Sequence, residues 1–418
     1  LRVEMRAAPA SLDPSAPDAA PLAALVFEPL VRLDADGTPQ PCLAVSWQHD
    51  ASAKRWQFNL RPAVQFHDGF PLVAGAVVAS LQPALPGVAV SAAGDAVILR
   101  ADRPMPGLLL DLAHNGLVFA HNAAGALVGT GPFRLTSWEP GRRAALAAYD
   151  GYWGGRPFLD SIEVQMGRPL RDQFLDLEIG KTDVAEFGPA ELRRASERGR
   201  TVWSSAPIDL VALAFARAPD LRQRQALALA IDRAAMHNVL LQKQGDAAAA
   251  LLPQWLSGYA FAFPTAPDVP RARALAAALP PGARTLALSY DPAMPAARSL
   301  AERVAVNARD AGLTVQVAPQ NPRADVRLVQ IRLPSPDSAR ALAAVAAALG
   351  LESPPPAATP EALYESERRL LETFRAIPLF HLPELYAAAN RVRVFTPPAI
   401  GRLGAWRFEN VWISEAAP

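Results

Sequence analysis

Apolar residues in this chain recur at two periods, and the places where one period gives way to the other mark its elements. Trp56, Phe58 and Leu60 alternate with Arg55, Gln57 and Asn59, the spacing of a half-buried strand. Phe133, Leu135 and Ser137 alternate likewise with Arg134, Thr136 and Trp138. Glu139-Pro140-Gly141 then makes a turn, residues 142–149 return as a second strand and 162–164 form a third. Between the last two, Asp150, Gly151, Gly154, Gly155 and Pro157 punctuate a loop around Tyr152 and Trp153. Further strands are expected at 1–5, 88–99 (a pair), 182–186, 285–290, 313–317, 326–332 and 377–388. Helical spacing marks 74–81, 106–112, 170–179, 191–198, 338–349 and 361–374. In 221–242 two helices abut, the second capped by Asp232. The helix at 295–311 should bury Leu300, Val304 and Ala308, stop at Gly312 and cross over right-handedly into a parallel strand. Trp406, Phe408 and Trp412 are expected in the core. The fold class is α/β.

A length of 418 residues with 51% hydrophobic content suits two or three domains rather than one core. No apolar run reaches eighteen residues, so no membrane-crossing helix is expected. The formal charge of +1 gives no field for nucleic acid or anionic lipid, and neither is expected as a partner. Cys42 is the one cysteine, which excludes an intrachain disulfide and a cysteine-based metal cluster. Because the sequence starts at Leu1 and runs straight into a strand, a leader is expected to have been removed or to lie outside it.

Candidate chemistry thins out on inspection. His67-Asp68-Gly69 sits in a turn between strands and reads as a hydrogen-bonding turn rather than half of an acid/base site. His49, His114, His121, His237 and His381 show no paired spacing of the H-E-x-x-H kind, which argues against a zinc site. There is no G-x-S-x-G, and Cys42 lies in a Pro-flanked strand without an activating neighbour. Gly129-Thr130-Gly131 is too short for a phosphate loop and leads into a strand, not a helix. No cofactor, metal or catalytic residue is expected, and a hydrolase would rest only on scattered Ser, His and Asp. A binding surface remains.

Ordered motifs point to what kind. Ser11-Leu12-Asp13-Pro14, the run LDADGTPQPCLAVSW followed by FHDG within 25–81, VGTGPF with WEPG and YWGGRP within 128–160, RQRQALALAIDRAAM at 222–236 and IPLFH at 377–381 resemble extracellular solute-binding proteins of family 5. These are the peptide-, nickel- and oligosaccharide-binding receptors of ABC importers. The resemblance implies a two-lobed periplasmic-binding-protein fold (class II, cluster C type) with an extra, here shortened, subdomain. It divides the chain into a first lobe at 1–26, 129–217 and 388–418, the extra subdomain at 27–128, and a compacted second lobe at 218–387. It also implies a non-enzymatic receptor, periplasmic or extracellular, that captures a small organic solute, peptide-like or oligosaccharide-like, by hinge closure of its lobes and delivers it to an ABC importer permease. A monomer is expected. In this frame the stretch 128–160 is framework, with Tyr152 and Trp153 as packing anchors.

Carried over by position, the ligand-binding candidates are Arg6, Ala7 and Ala8 after the first strand, Glu186 and Phe187, and Gln330, Ile331 and Arg332. Trp255, in a Pro-Gln-Trp loop, is a further stacking candidate. Peptide-binding members place an aspartate in an A-D-Y block where this chain reads Arg332-Leu333-Pro334-Ser335-Pro336-Asp337. With that aspartate replaced and Arg332 close by, a peptide's ammonium would be buried unpaired beside an arginine, which disfavours a zwitterionic peptide and favours an anionic or neutral ligand, sugar-like or aromatic. The shortened subdomain leaves a second reading, a ligand-sensing regulatory module of the same fold without a transport role.

Overall fold

The structure, a computed structural model, describes residues 1–14, 16, 18–34, 37–113, 117–123, 126–198, 200, 202–217, 220–355, 357, 359–395 and 405–414. His114, and residues 35 and 36 within the LDADGTPQPCLAVSW motif, lie outside the described residues. The chain divides into two compact units, one of residues 1–187, 199–203 and 385–418, the other of 188–198 and 204–384.

The first unit holds a sheet in the order Phe133–Glu139, Arg143–Ala148, Ser161–Gln165, Arg2–Glu4 and Val184–Phe187, bordered by residues 385–388. Arg2–Glu4 is parallel to both neighbours, and the hairpin at one edge is antiparallel about Gly141, whose φ of 67° supplies the turn. A second, all-antiparallel sheet runs Ala44–His49, Arg55–Leu60, Ala96–Ala101, Val88–Ala93. Trp56, Phe58 and Leu60 all enter its core, as their alternation requires, together with Val77 and Leu81 of the helix Ala74–Ala84. Trp406 and Phe408 are buried, but Trp412 is 42% exposed: it lies in a two-residue strand that, among the described residues, pairs with Val392–Arg393 alone.

Two knots tie these layers. The His67 N–H donates to the Gly129 carbonyl (2.9 Å), and its Nε2 lies 2.9 Å from the Gly131 carbonyl, so Nε2 must carry the proton. Burial holds that imidazole's pKa below its ordinary value. In the second knot, the buried carboxylate of Glu28 accepts from Tyr152 Oη (2.9 Å), Trp153 Nε1 (2.7 Å) and Thr130 Oγ1 (3.1 Å), with Cys42 Sγ at 3.7 Å. Tyr152 and Trp153 are thus polar anchors as well as packing ones, and Arg61 stacks on the Trp153 ring at 3.9 Å.

The second unit is built on strands in the order 376–384, 204–215, Val326–Arg332, Thr285–Tyr290 and Thr314–Pro319. Thr285–Tyr290 is parallel to the strands on either side, and the intervening helix Ala297–Asp310 buries Leu300, Val304 and Ala308. Gly312, at φ 83°, ends that turn. Asp232 caps the helix Arg233–Val239 by accepting from the Ala235 N–H at 2.9 Å. Alternation could not reveal the strand Val202–Phe215. Its residues 208–215 are buried on both faces, so the run is apolar at every position but Asp209 and carries no period.

The same core encloses Glu367, whose carboxylate accepts from the Leu251 and Leu252 N–H groups and from Tyr259 Oη. Burial dominates those donors and pushes its pKa from 4.5 up to about 7. The folded carboxyl then keeps its proton through a window in which the unfolded one has released it, so stability falls as pH rises from 4.5 to 7. Gln at this position keeps one acceptor for the backbone donors and gives an NH2 to Tyr259. The stability of Glu367→Gln relative to wild type should therefore climb by about 3 kcal/mol between pH 4.5 and 7.5. Urea unfolding read by hydrogen exchange in residues 285–290 checks this, and a pH-independent difference between the proteins would refute it. His381, buried and bonded through Nε2 to the Leu251 carbonyl (3.1 Å), has its pKa lowered to about 4. Its contribution is lost as pH falls from 6.5 to 4, and it cancels in that difference because both proteins carry it.

Candidate functional site

In the first unit the candidates collect where the chain leaves the strand Arg2–Glu4. The Arg6 N–H donates to Glu186 Oε2 at 2.7 Å, joining the loop after that strand to the end of Val184–Phe187. Ala7 packs partly against the core while its carbonyl accepts from the Gly167 N–H at 3.0 Å, and Ala8 is exposed. Phe187 turns inward: it is buried, with its ring 5.6 Å from that of Phe174. Arg6, Ala7, Ala8 and Glu186 are thus brought together at one edge, with Phe187 beneath it.

A cluster of ionisable side chains backs this edge. Arg168 donates to Asp176 at 2.6 Å and lies 3.8 Å from the buried Glu4 carboxylate, and Lys181 approaches Asp176 at 3.7 Å. Burial, and then the negative charge of Asp176, raise the Glu4 pKa.

In the second unit the candidates gather on residues 205–209 of the long strand. Trp255 donates its indole N–H to the Pro207 carbonyl at 2.9 Å, which fixes the ring, and it sits on a one-turn helix, Gln254–Ser257, rather than in a loop. Arg332 and Asp209 are register partners on adjacent strands. The Arg332 guanidinium ion-pairs with Glu384 and lies 3.6 Å from Asp209, while Gln330 donates to Asp209 at 2.6 Å. The Glu384 N–H donates to Ser205 Oγ at 2.9 Å. Ile331, half-buried, packs against the core between them.

This corrects the argument about charge. Arg332 has two carboxylates beside it, supplied by Asp209 and Glu384 from other strands, so an ammonium placed near Arg332 would not lack acidic neighbours. The bias against a peptide's ammonium loses its ground. Asp209, Glu384 and Ser205 escaped sequence reasoning, although an aspartate inside an apolar strand is a signal, since a buried carboxylate needs partners. Among the described residues no group of three His, Cys, Asp or Glu side chains could hold a metal ion. The site offers hydrogen bonds, fixed charges and an aromatic plane.

Comparison with known proteins identifies the family and the fold. Over residues 38–96 and 97–368 the chain matches the family described as bacterial extracellular solute-binding proteins, family 5 Middle. It is 27% identical over 271 residues to the probable D,D-dipeptide-binding periplasmic protein DdpA of Escherichia coli, covering 56% of this chain and 52% of that one. To the nickel-binding periplasmic protein of the same organism it is 25% identical over 244 residues, 50% of this chain and 47% of the relative. The chain thus spans about half the length of the curated relatives it matches. In fold it is similar to NikA from Staphylococcus aureus, solved in complex with Ni(L-His)2, with a TM-score of 0.87, 16% identity and 99% of each chain covered. The fold is therefore the two-lobed α/β architecture of the periplasmic binding proteins. With the family matched across most of its length, the chain belongs to the bacterial extracellular solute-binding proteins of family 5.

Proposed function

We propose that this chain is a periplasmic or extracellular receptor that captures a small organic solute, peptide-like or oligosaccharide-like, and delivers it to the permease of an ABC importer. The family match over residues 38–96 and 97–368 carries this reading. The two units are taken as its lobes, with residues 27–128 as an extra subdomain, and the protein works as a monomer without turning its ligand over. Arg6, Ala7, Ala8 and Glu186 supply one group of contacts, Phe187 supports them, and Trp255, Gln330 and Arg332 supply the other. The chemistry suits a polar solute with some planar or apolar surface. Backbone groups near Ala7 and Ala8 can hydrogen-bond it, Trp255 can stack on it, and Arg332, prepositioned by Asp209 and Glu384, can donate to an oxygen of it.

Native mass spectrometry of the purified protein should find a bound organic solute or, after stripping, uptake of one from a panel of peptides, oligosaccharides and metal chelates. Arg332→Ala should weaken the tightest binder roughly tenfold by calorimetry, the worth of one charge-assisted hydrogen bond. A protein that takes up nothing from the panel sinks the receptor reading, and an Arg332→Ala affinity equal to wild type removes that side chain from the site.

A further inference from the structure

The helix Leu170–Glu178 buries Gln173, Phe174 and Leu177 on one face. A fully buried glutamine on an otherwise apolar helix face is costly unless both ends of its amide are used. Both are. Nε2 donates to the Arg168 carbonyl at 2.8 Å, and Oε1 accepts from the Glu186 N–H at 2.8 Å. The opposite orientation of the amide would set donor against donor and acceptor against acceptor.

Each partner of that amide leads to the candidate ligand edge. From Glu186, the carboxylate accepts from the Arg6 N–H at 2.7 Å. From Arg168, the backbone N–H donates to the Met5 carbonyl at 3.0 Å, and the neighbouring Gly167 N–H donates to the Ala7 carbonyl at 3.0 Å. The path from Gln173 through Glu186, Arg6, the residues on either side of it and Arg168 closes on Gln173, whose side chain joins the two strands of the path from beneath.

We propose that Gln173 is a positioning residue of the first unit's ligand edge, holding the loop 6–8 and the strand end 186–187 at a fixed separation. The assignment rests on the solute-receptor reading for its meaning, because that reading is what makes these two segments a ligand edge. Gln173 itself touches no ligand. It orients Glu186 from the backbone side, and Glu186 orients Arg6.

The test is hydrogen exchange read by mass spectrometry on the full chain without any solute. Gln173→Leu, which fills the space but lacks the amide, should raise exchange roughly tenfold in both 4–8 and 184–187, and leave the strand Arg55–Leu60 at its wild-type rate. Glu186→Ala should raise exchange in 4–8 only. Gln173→Glu keeps an acceptor for the Glu186 N–H but can donate to the Arg168 carbonyl only when protonated. The new carboxyl would face Glu186 and, around Arg168, Glu4 and Asp176. Its protection factors in 4–8 should therefore approach wild type as pH is lowered from 7.5 to 5. Wild-type protection of both segments in Gln173→Leu overturns the proposal, as does equal loosening of Arg55–Leu60 or a Gln173→Glu protein whose protection is independent of pH. None of these readouts uses a solute, so their failure and a failure of the receptor reading in binding assays are separate results.

Discussion

Gly129→Ala should destabilise the first unit by about 3 to 4 kcal/mol, the upper end of what overpacking costs. A Cβ at Gly129 would lie 1.9 Å from the Val26 carbonyl oxygen and 2.8 Å from Phe27 Cδ1. The obstruction is mainly backbone, at the end of the buried helix Ala20–Val26, where no rotamer change can relieve it. The approach is held close by the Gly131 N–H donating to the same Val26 oxygen at 2.9 Å. Gly155→Ala, in the same stretch of sequence, is the contrast. It sits at φ 94° with nothing within 4 Å of a Cβ, so its cost is the backbone strain alone, about 1 to 2 kcal/mol. Seven of the eight tryptophans lie in the first unit and Trp255 alone in the second, so urea unfolding followed by fluorescence in a Trp255→Phe background reads the first unit selectively. A Gly129→Ala midpoint equal to that of Gly155→Ala would show that the close approach carries no weight.

That glycine also marks how far the sequence could be read. Local periodicity found what depends on neighbours in sequence: the alternation at 55–60, the hairpin across Gly141, the helix between two parallel strands at 285–319 and the Asp232 cap. Contacts made across the chain left no local trace. Thr130 and Trp153 reach Glu28 over separations of 102 and 125 residues, and nothing near Glu28 in sequence announces them. The carboxylates beside Arg332 went unread for the same reason, lying on strands far away in sequence. The strand Val202–Phe215 went unseen because burial on both faces erases the period that would betray it. Trp412 misled in the opposite sense, since an aromatic side chain near a chain end can lie on a small edge pair as readily as in a core. The motif pattern located the family, and tertiary contacts decided which of its residues are framework.

Glu28→Ala should cost the first unit about 3 to 5 kcal/mol, the range for removing one partner of a buried, hydrogen-bonded charge. The cost has two sources. Truncation leaves a cavity, and it strands Tyr152 Oη, Trp153 Nε1 and Thr130 Oγ1, each now donating to nothing. Burial raises the Glu28 pKa and the three donors lower it, so the carboxyl is held between opposing effects in which burial is the larger. Glu28→Gln separates the shape of the site from its charge. An indole N–H can only donate, so the amide oxygen must face Trp153 and Thr130, which places the NH2 toward Tyr152 and Cys42. The Tyr152 hydroxyl can turn and accept from it, so all but one of the bonds survive in altered form, and the expected cost is only about 1 to 2 kcal/mol. The order Glu28→Ala far below Glu28→Gln, read by the same fluorescence titration, is the result that supports a donor-saturated carboxylate. Equal losses for the two variants would mean that the negative charge, facing Arg407, matters more than the hydrogen bonds. Trp153 gives an independent check, because loss of its bond to Glu28 should shift the emission of the folded Glu28→Ala protein while leaving that of Glu28→Gln near wild type.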